Sequence, residues 1–208
     1  MKSKSIFVSL LIVWSLLFFS GCGFVINSLY GLKNVKTMDE KTILKYGDKF
    51  NIPQDKNYLL DAGYFTFISK QDTAKFGLQI NNHLQPLQAL YYDENEKLIS
   101  YHINCYAGGF PNLKWNRNQI MEVFPPLQQA PLDSLVSLGL IRNNIHLVVD
   151  KNKQDSNIYN TTVVVFWNRF MGRQTRRFIK TVQHNIKLSE NGNVNIVYVN
   201  NDNMFLEN

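Results

Sequence analysis

The sequence predicts an α/β domain, a mixed sheet flanked by helices, and three observations carry that prediction. An apolar strand, a helix and a second apolar strand follow one another over residues 163–199, which is the size of a βαβ unit with a right-handed crossover. Two apolar-rich runs, 87–92 and 97–104, are separated only by Asp93-Glu94-Asn95-Glu96 and read as a hairpin. Shorter stretches with helical spacing begin at capping residues or at proline and stop at proline or glycine.

Taken in order, the chain opens with Lys2 and Lys4 ahead of an uncharged apolar run over 6–19, then Ser20-Gly21-Cys22. A basic start, a short apolar stretch and small residues before a cut describe a secretory signal peptide. The run is short for a membrane-spanning helix, which needs about 20 apolar residues. Small residues just before Cys22 resemble a bacterial lipobox, with Phe19 standing where leucine is usual. That resemblance implies cleavage after residue 21, lipidation (palmitate) of Cys22, and residues 22–36 as a lipid-anchored tether to a single domain over 37–208. The alternatives are an uncleaved anchor, or ordinary secretion with Cys22 left as a thiol. Loss of residues 1–21 removes Lys2 and Lys4 and lowers the net charge from +6 to +4. So mild a charge points away from nucleic acid.

Within the domain, Thr37-Met38-Asp39-Glu40 has the form of a capping box. It opens a helix whose Ile43, Tyr46, Gly47 and Phe50 share a face, ended by Asn51-Ile52-Pro53. A second helix is expected over 62–70, capped by Asp61, with Tyr64, Phe67 and Ile68 inward. In the hairpin's second run Ile99, Tyr101, Ile103 and Cys105 alternate with polar residues, which places Cys105 on the inward face. Further on, 119–124 reads as a short helix stopped by Pro125-Pro126. Pro131 opens another, with Leu132, Leu135, Val136 and Leu138, running to about 141. Residues 145–150 read as a strand and 151–160 as a polar loop.

The βαβ unit carries a resemblance. Val163 to Phe166 is the strand, Phe166-Trp167 its end, and Phe170-Met171-Gly172-Arg173-Gln174 the turn. Phe178, Ile179, Val182 and Ile186 form the apolar face of the helix that follows. This arrangement resembles the thioredoxin-like proteins, in which a strand ending in Phe-Trp leads to a Cys-x-x-Cys turn and then a helix. It implies that Met171 and Gln174 stand where the two thiols would be. A thioether does not ionise and an amide is no nucleophile, so this degenerate active-site turn lacks the groups that dithiol exchange requires.

A thioredoxin-like sheet also places a cis-proline strand and a hairpin partner beside the central strand, normally after the βαβ unit. Here the chain ends soon after residue 199, and an uncovered apolar strand is one that proteins avoid. Gln85-Pro86 and the hairpin over 87–104 resemble the missing half, which implies a permuted strand order with Pro86 as the cis-proline. A mixed α/β domain with its own topology is the alternative, and Pro53 is the competing proline.

Candidate chemistry is sparse. His83, His102, His146 and His184 show no paired ligand spacing, so neither a metal site nor a cofactor is expected. Tyr106, Phe110 and Trp115, around Gly108-Gly109, are candidates for a binding loop, or for a lid folded back on the core. Arg169, Arg173, Arg176, Arg177 and Lys180 gather at a helix start, either as an anion site or as a solvated basic face.

Three functions follow from these readings. The first is a lipoprotein of the bacterial cell envelope, on the outer membrane if the cell is Gram-negative, using a redox-inactive thioredoxin-like domain as a binding or scaffold module. Its partners would be the membrane through the lipid and another envelope protein or a glycan. The second is a thiol oxidoreductase acting through Cys105 alone. The third is glycan capture by the loop aromatics.

Overall fold

The computed structural model describes residues 31–105, 114–149, 159–190 and 192–206. Among them the strands are β1 (Asn57–Leu60), β2 (Gln88–Asp93), β3 (Leu98–Ile103), β4 (Ile145–Leu147), β5 (Thr161–Trp167) and β6 (Val194–Asn200). The helices are α1 (Glu40–Lys49), α2 (Ala62–Ser69), α3 (Thr73–His83), α4 (Leu138–Arg142) and α5 (Arg173–Ile186).

All seven residues of β5 are buried, which requires protein on both faces and explains its unbroken apolar run. Val163, Val165 and Trp167 face a layer made by α1 and α5, with Ile43, Phe50, Phe178, Ile179 and Val182. Val164 and Phe166 face the opposite layer, where α2, α3 and α4 contribute Tyr64, Ile68, Ile80, Leu138 and Ile141. The sheet order is β3-β2-β5-β6-β1-β4. Strands β5, β6 and β1 run parallel, while β2, β3 and β4 pair antiparallel to their neighbours. The fold is thus the expected mixed α/β sheet flanked by helices. The hairpin β2–β3 lies directly beside β5, although it precedes β5 in the chain.

Helix α5 shows which force sets these elements. Its N-cap position, Gly172, makes no side-chain cap bond, forgoing about 1 kcal/mol. Phe178, Ile179 and Val182 are fully buried, at roughly 1.5–3 kcal/mol each, so burial outweighs the missing cap. Elsewhere the caps are present. Asp39 Oδ1 accepts from Thr42 N at 2.8 Å, Asp72 from Ala74 N at 2.9 Å and Ser137 Oγ from Leu140 N at 3.1 Å.

Several expectations are corrected. Asp39, not Thr37, caps α1, because its shorter reach to Thr42 N starts the helix at Glu40. Asp61 precedes α2 but makes no cap bond, since its carboxylate pairs with His146 Nδ1 at 2.8 Å. The helix expected over 119–124 is a single 3-10 turn, Arg117–Gln119, with Asn118 and Gln119 at positive φ. The helix expected from Pro131 forms only as α4, because Ser137 supplies the cap six residues later and Leu132 points outward at 40 % exposure. Strand β1 and helix α3 add to the elements that the sequence predicts.

Candidate functional site

The turn after β5 is built on asparagine. Asn168 Nδ2 donates to the Pro86 carbonyl at 2.9 Å and to Asn201 Oδ1 at 3.1 Å, while its Oδ1 accepts from Met171 N at 3.0 Å. Asn201 Nδ2 reaches the same Pro86 carbonyl at 3.1 Å, and Asp202 Oδ2 accepts from Arg169 N at 2.7 Å. These side chains tie the ends of β5 and β6 to the start of β2. Pro86 and Met171 are therefore joined through one residue. The Asp202 carboxyl is held above its ordinary value by burial, with donors from Asn200 and Arg169 opposing the shift.

Pro86 is not a cis-proline. The cis peptide among the described residues is Phe124–Pro125, and Gln85–Pro86 keeps the ordinary trans form. Nothing at the entry to β2 demands the tighter geometry, because the two asparagine amides already hold the Pro86 carbonyl in place.

Met171 and Gln174 are 8 % and 2 % exposed, so both positions that would bear thiols face protein. Gln174 Oε1 has no partner among the described residues. Phe170 is half-buried, with its ring 5.3 Å from that of Phe205. Its carbonyl accepts from Lys33 N at 2.8 Å, and Arg169 Nη2 donates to the Asn34 carbonyl. A Cβ on Gly172 would lie 1.8 Å from the carbonyl oxygen of Gly31. The chain at 31–34, expected to be free tether, thus runs across the turn as a strap. Further along, Met38 exchanges two backbone hydrogen bonds with the Asn203 side chain, at 2.8 and 3.1 Å.

Beside the strap lies a cavity of about 420 Å3 lined by Lys33, Tyr46, Lys49, Arg173, Arg176 and Arg177, with Gly31, Phe50 and Gly172. The ammonium groups of Lys33 and Lys49 stand 4.8 and 4.9 Å from the centre of the Tyr46 ring. Burial alone would raise the Tyr46 phenol. Lys33, and then Arg169 and Lys49, outweigh it and bring the phenol below its ordinary value.

Cys105 sits beyond the end of β3, half-buried rather than on an inward face, because the strand stops at Ile103 and the alternation stops with it. Asn104 Nδ2 donates to its sulfur at 3.1 Å. Burial nonetheless holds the thiol above its ordinary value, which disfavours the thiolate. Of the loop candidates, Tyr106 and Phe110 lie outside the described residues, as does Cys22. Trp115 is 3 % exposed with its ring 4.2 Å from that of Phe178. It belongs to the core, since the large indole gains more from burial against α5 than from water.

A polar network inside the second layer was not legible. His83 Nε2 meets Asp133 at 3.1 Å, His83 Nδ1 meets Tyr101 Oη at 3.1 Å, and Tyr101 donates to Gln88 Oε1 at 2.8 Å. The order Asp-His-Tyr has the form of a relay, but His83 and Tyr101 are fully buried, away from solvent. Burial pushes Asp133 up. The His83 hydrogen bond and charge, with the Leu135 N–H, together outweigh burial and leave it below the usual carboxylate range. Among the described residues no three His, Cys, Asp or Glu side chains converge as a metal site, and no helix is long and apolar enough to cross a membrane.

Sequence signals existed for part of this. Polar residues at the buried ends of strands, Asn168 after Trp167 and Asn200-Asn201-Asp202 after Val199, mark the asparagine clamp. Nothing local marks Lys33 and Lys49 as neighbours of Arg173. Compared with protein-family models, curated proteins and solved structures, the chain matches none, and the functional reading is drawn from this geometry.

Proposed function

We propose that the chain is a lipid-anchored protein of the bacterial envelope whose domain, thioredoxin-like in shape, serves as a binding or scaffold module without dithiol chemistry. One observation carries this reading. The turn that would hold the two thiols presents Met171 and Gln174 to the interior, and the chain's own residues 31–34 lie across it. Such a turn offers no nucleophile and no open approach for a substrate disulfide. The raised Cys105 thiol speaks against the oxidoreductase alternative, and the buried Trp115 against glycan capture by its ring.

Two measurements test the reading. Cells fed labelled palmitate should incorporate it into this chain, and a Cys22→Ser chain should remain unlabelled. Equal labelling of both would overturn the anchor. In the purified protein, Cys105 should react with an alkylating reagent more slowly than free cysteine at neutral pH, and a disulfide substrate such as insulin should stay oxidised. Rapid alkylation together with turnover of the disulfide would establish the Cys105 oxidoreductase instead.

A further inference from the structure

We propose that the cavity between the strap, α1 and the start of α5 binds the phosphate-bearing headgroups of anionic lipid, a role that rests on the lipid-anchored reading above. Five cations line it, Lys33, Lys49, Arg173, Arg176 and Arg177, and no carboxylate does. They come from three separate stretches of chain, and all five are exposed. None of the five has an ion-pair partner among the described residues. The net charge once residues 1–21 are removed is only +4, so this one cavity concentrates more positive charge than the rest of the molecule supplies net. Arg173 and Arg176 stand in the first turn of α5, where the helix dipole is already positive, so folding alone does not favour them there.

The lining suits a phosphate ester. Guanidinium groups bind phosphate oxygens in pairs, ammonium groups supply point charge, and the Tyr46 hydroxyl adds a neutral donor. Arg169, near enough to lower the Tyr46 phenol, is 6 % exposed, with its Nε unpartnered among the described residues. Its Nη2 donates to the Asn34 carbonyl, and its charge also acts on the buried Asp202 carboxyl. Position selects lipid over free phosphate. Gly31 forms part of the rim and follows Cys22 by nine residues, a length that spans at most about 30 Å. A chain anchored at Cys22 thus keeps this cavity within reach of the headgroup layer.

The full chain would be reconstituted into nanodiscs of phosphatidylcholine alone, or of phosphatidylcholine mixed with phosphatidylglycerol. Acylation of lysine amines would be followed residue by residue by mass spectrometry. Phosphatidylglycerol should slow Lys33 and Lys49 by about fivefold or more, the value of one basic side chain at an anionic surface, and leave exposed Lys75 unchanged. The triple variant Arg173→Gln, Arg176→Gln, Arg177→Gln should abolish that protection. Its side chains are exposed, and an unchanged melting curve would show that the fold is intact. Uniform slowing of all lysines, or none, would overturn the site. Equal protection by inorganic phosphate in phosphatidylcholine discs would overturn the lipid source. Selective protection in a chain that takes up no palmitate would uphold the site while the anchor fails.

Discussion

The strap across the turn makes a quantitative prediction, because the protein contains its own control. Gly172 and Gly192 both have positive φ, at +52° and +60°, where an L side chain is strained. A Cβ at Gly192 meets nothing within 4 Å, so Gly192→Ala measures backbone strain alone, roughly 1–2 kcal/mol. At Gly172 the same Cβ would lie 1.8 Å from the Gly31 oxygen and 2.8 Å from the Gly31 carbon. Ordinary contact begins at 3.4 Å, so the strap must retreat by more than an ångström. Retreat breaks the Lys33 N to Phe170 bond and the Arg169 bond to the Asn34 carbonyl. A neutral hydrogen bond contributes about 1 kcal/mol net and a charged one about 1.5–3, so some 2–4 kcal/mol of strap attachment is at stake. Released chain is cut by proteases in proportion to its opening. Gly172→Ala should therefore raise the rate of tryptic cleavage after Lys33 and Lys36 by about tenfold or more, while Gly192→Ala leaves it unchanged. Both variants should retain the native circular dichroism spectrum. Wild-type cleavage in Gly172→Ala, with the two variants melting alike, would refute the strap.

Three other perturbations have defined outcomes. Burial holds His102 at about 4 in the folded protein, against 6.5 when exposed, with the Leu127 carbonyl opposing the shift. The unfolded chain therefore binds the extra proton, and stability is full above about pH 6.5 and declines towards pH 4, by at most about 3 kcal/mol. Guanidinium melts at several pH values would show this slope, and it should flatten in His102→Gln. Asp133→Ala leaves His83 Nε2 buried without its acceptor, at a cost of about 1–3 kcal/mol, whereas Asp133→Asn keeps an acceptor and should lose less. Because Asp133 lies below its ordinary value, its contribution persists above the unfolded carboxylate range and is lost only as acid titrates the folded carboxyl, below the His102 window. Trp115→Ala should cost about 3–5 kcal/mol in a denaturant melt, since the indole packs on Phe178 inside the core. A loss of ligand binding without loss of stability would contradict that placement.

Elements with a strong period were legible and those defined by partners were not. The helical face Phe178, Ile179, Val182 and Ile186 stands in the structure as the spacing predicts, as does the pairing of β2 with β3 around Asp93–Glu96. The position of that hairpin beside β5 was also readable, because an uncovered apolar strand demanded a neighbour. Strand β1 leaves no mark in the sequence because its four residues, Asn57-Tyr58-Leu59-Leu60, carry no alternation. They become a strand by lying between β6 and β4. Helix α3 begins at a clear cap, Asp72, but Phe76 leaves helical geometry and breaks the period. At the candidate site, sequence marked the arginines on α5 and the absent thiols. It did not bring Lys33 and Lys49 to them, since that convergence depends on the strap and on α1 packing across β5.

The strand order also fixes when the molecule can become a protein at all. Among the described strands the two central ones, β5 and β6, are made after their outer neighbours β2 and β1. A chain cut short after β4 could hold only two disconnected pairs, β2 with β3 and β1 with β4. The apolar residues of both layers would have no joined sheet to cover, and the pairing that unites the halves waits for residues near 200. Such a chain emerges from the ribosome, or from a translocation channel, essentially uncommitted. Both outer pairs depend on β5 and β6 to be joined, so removing those two strands should abolish the whole fold rather than trim it.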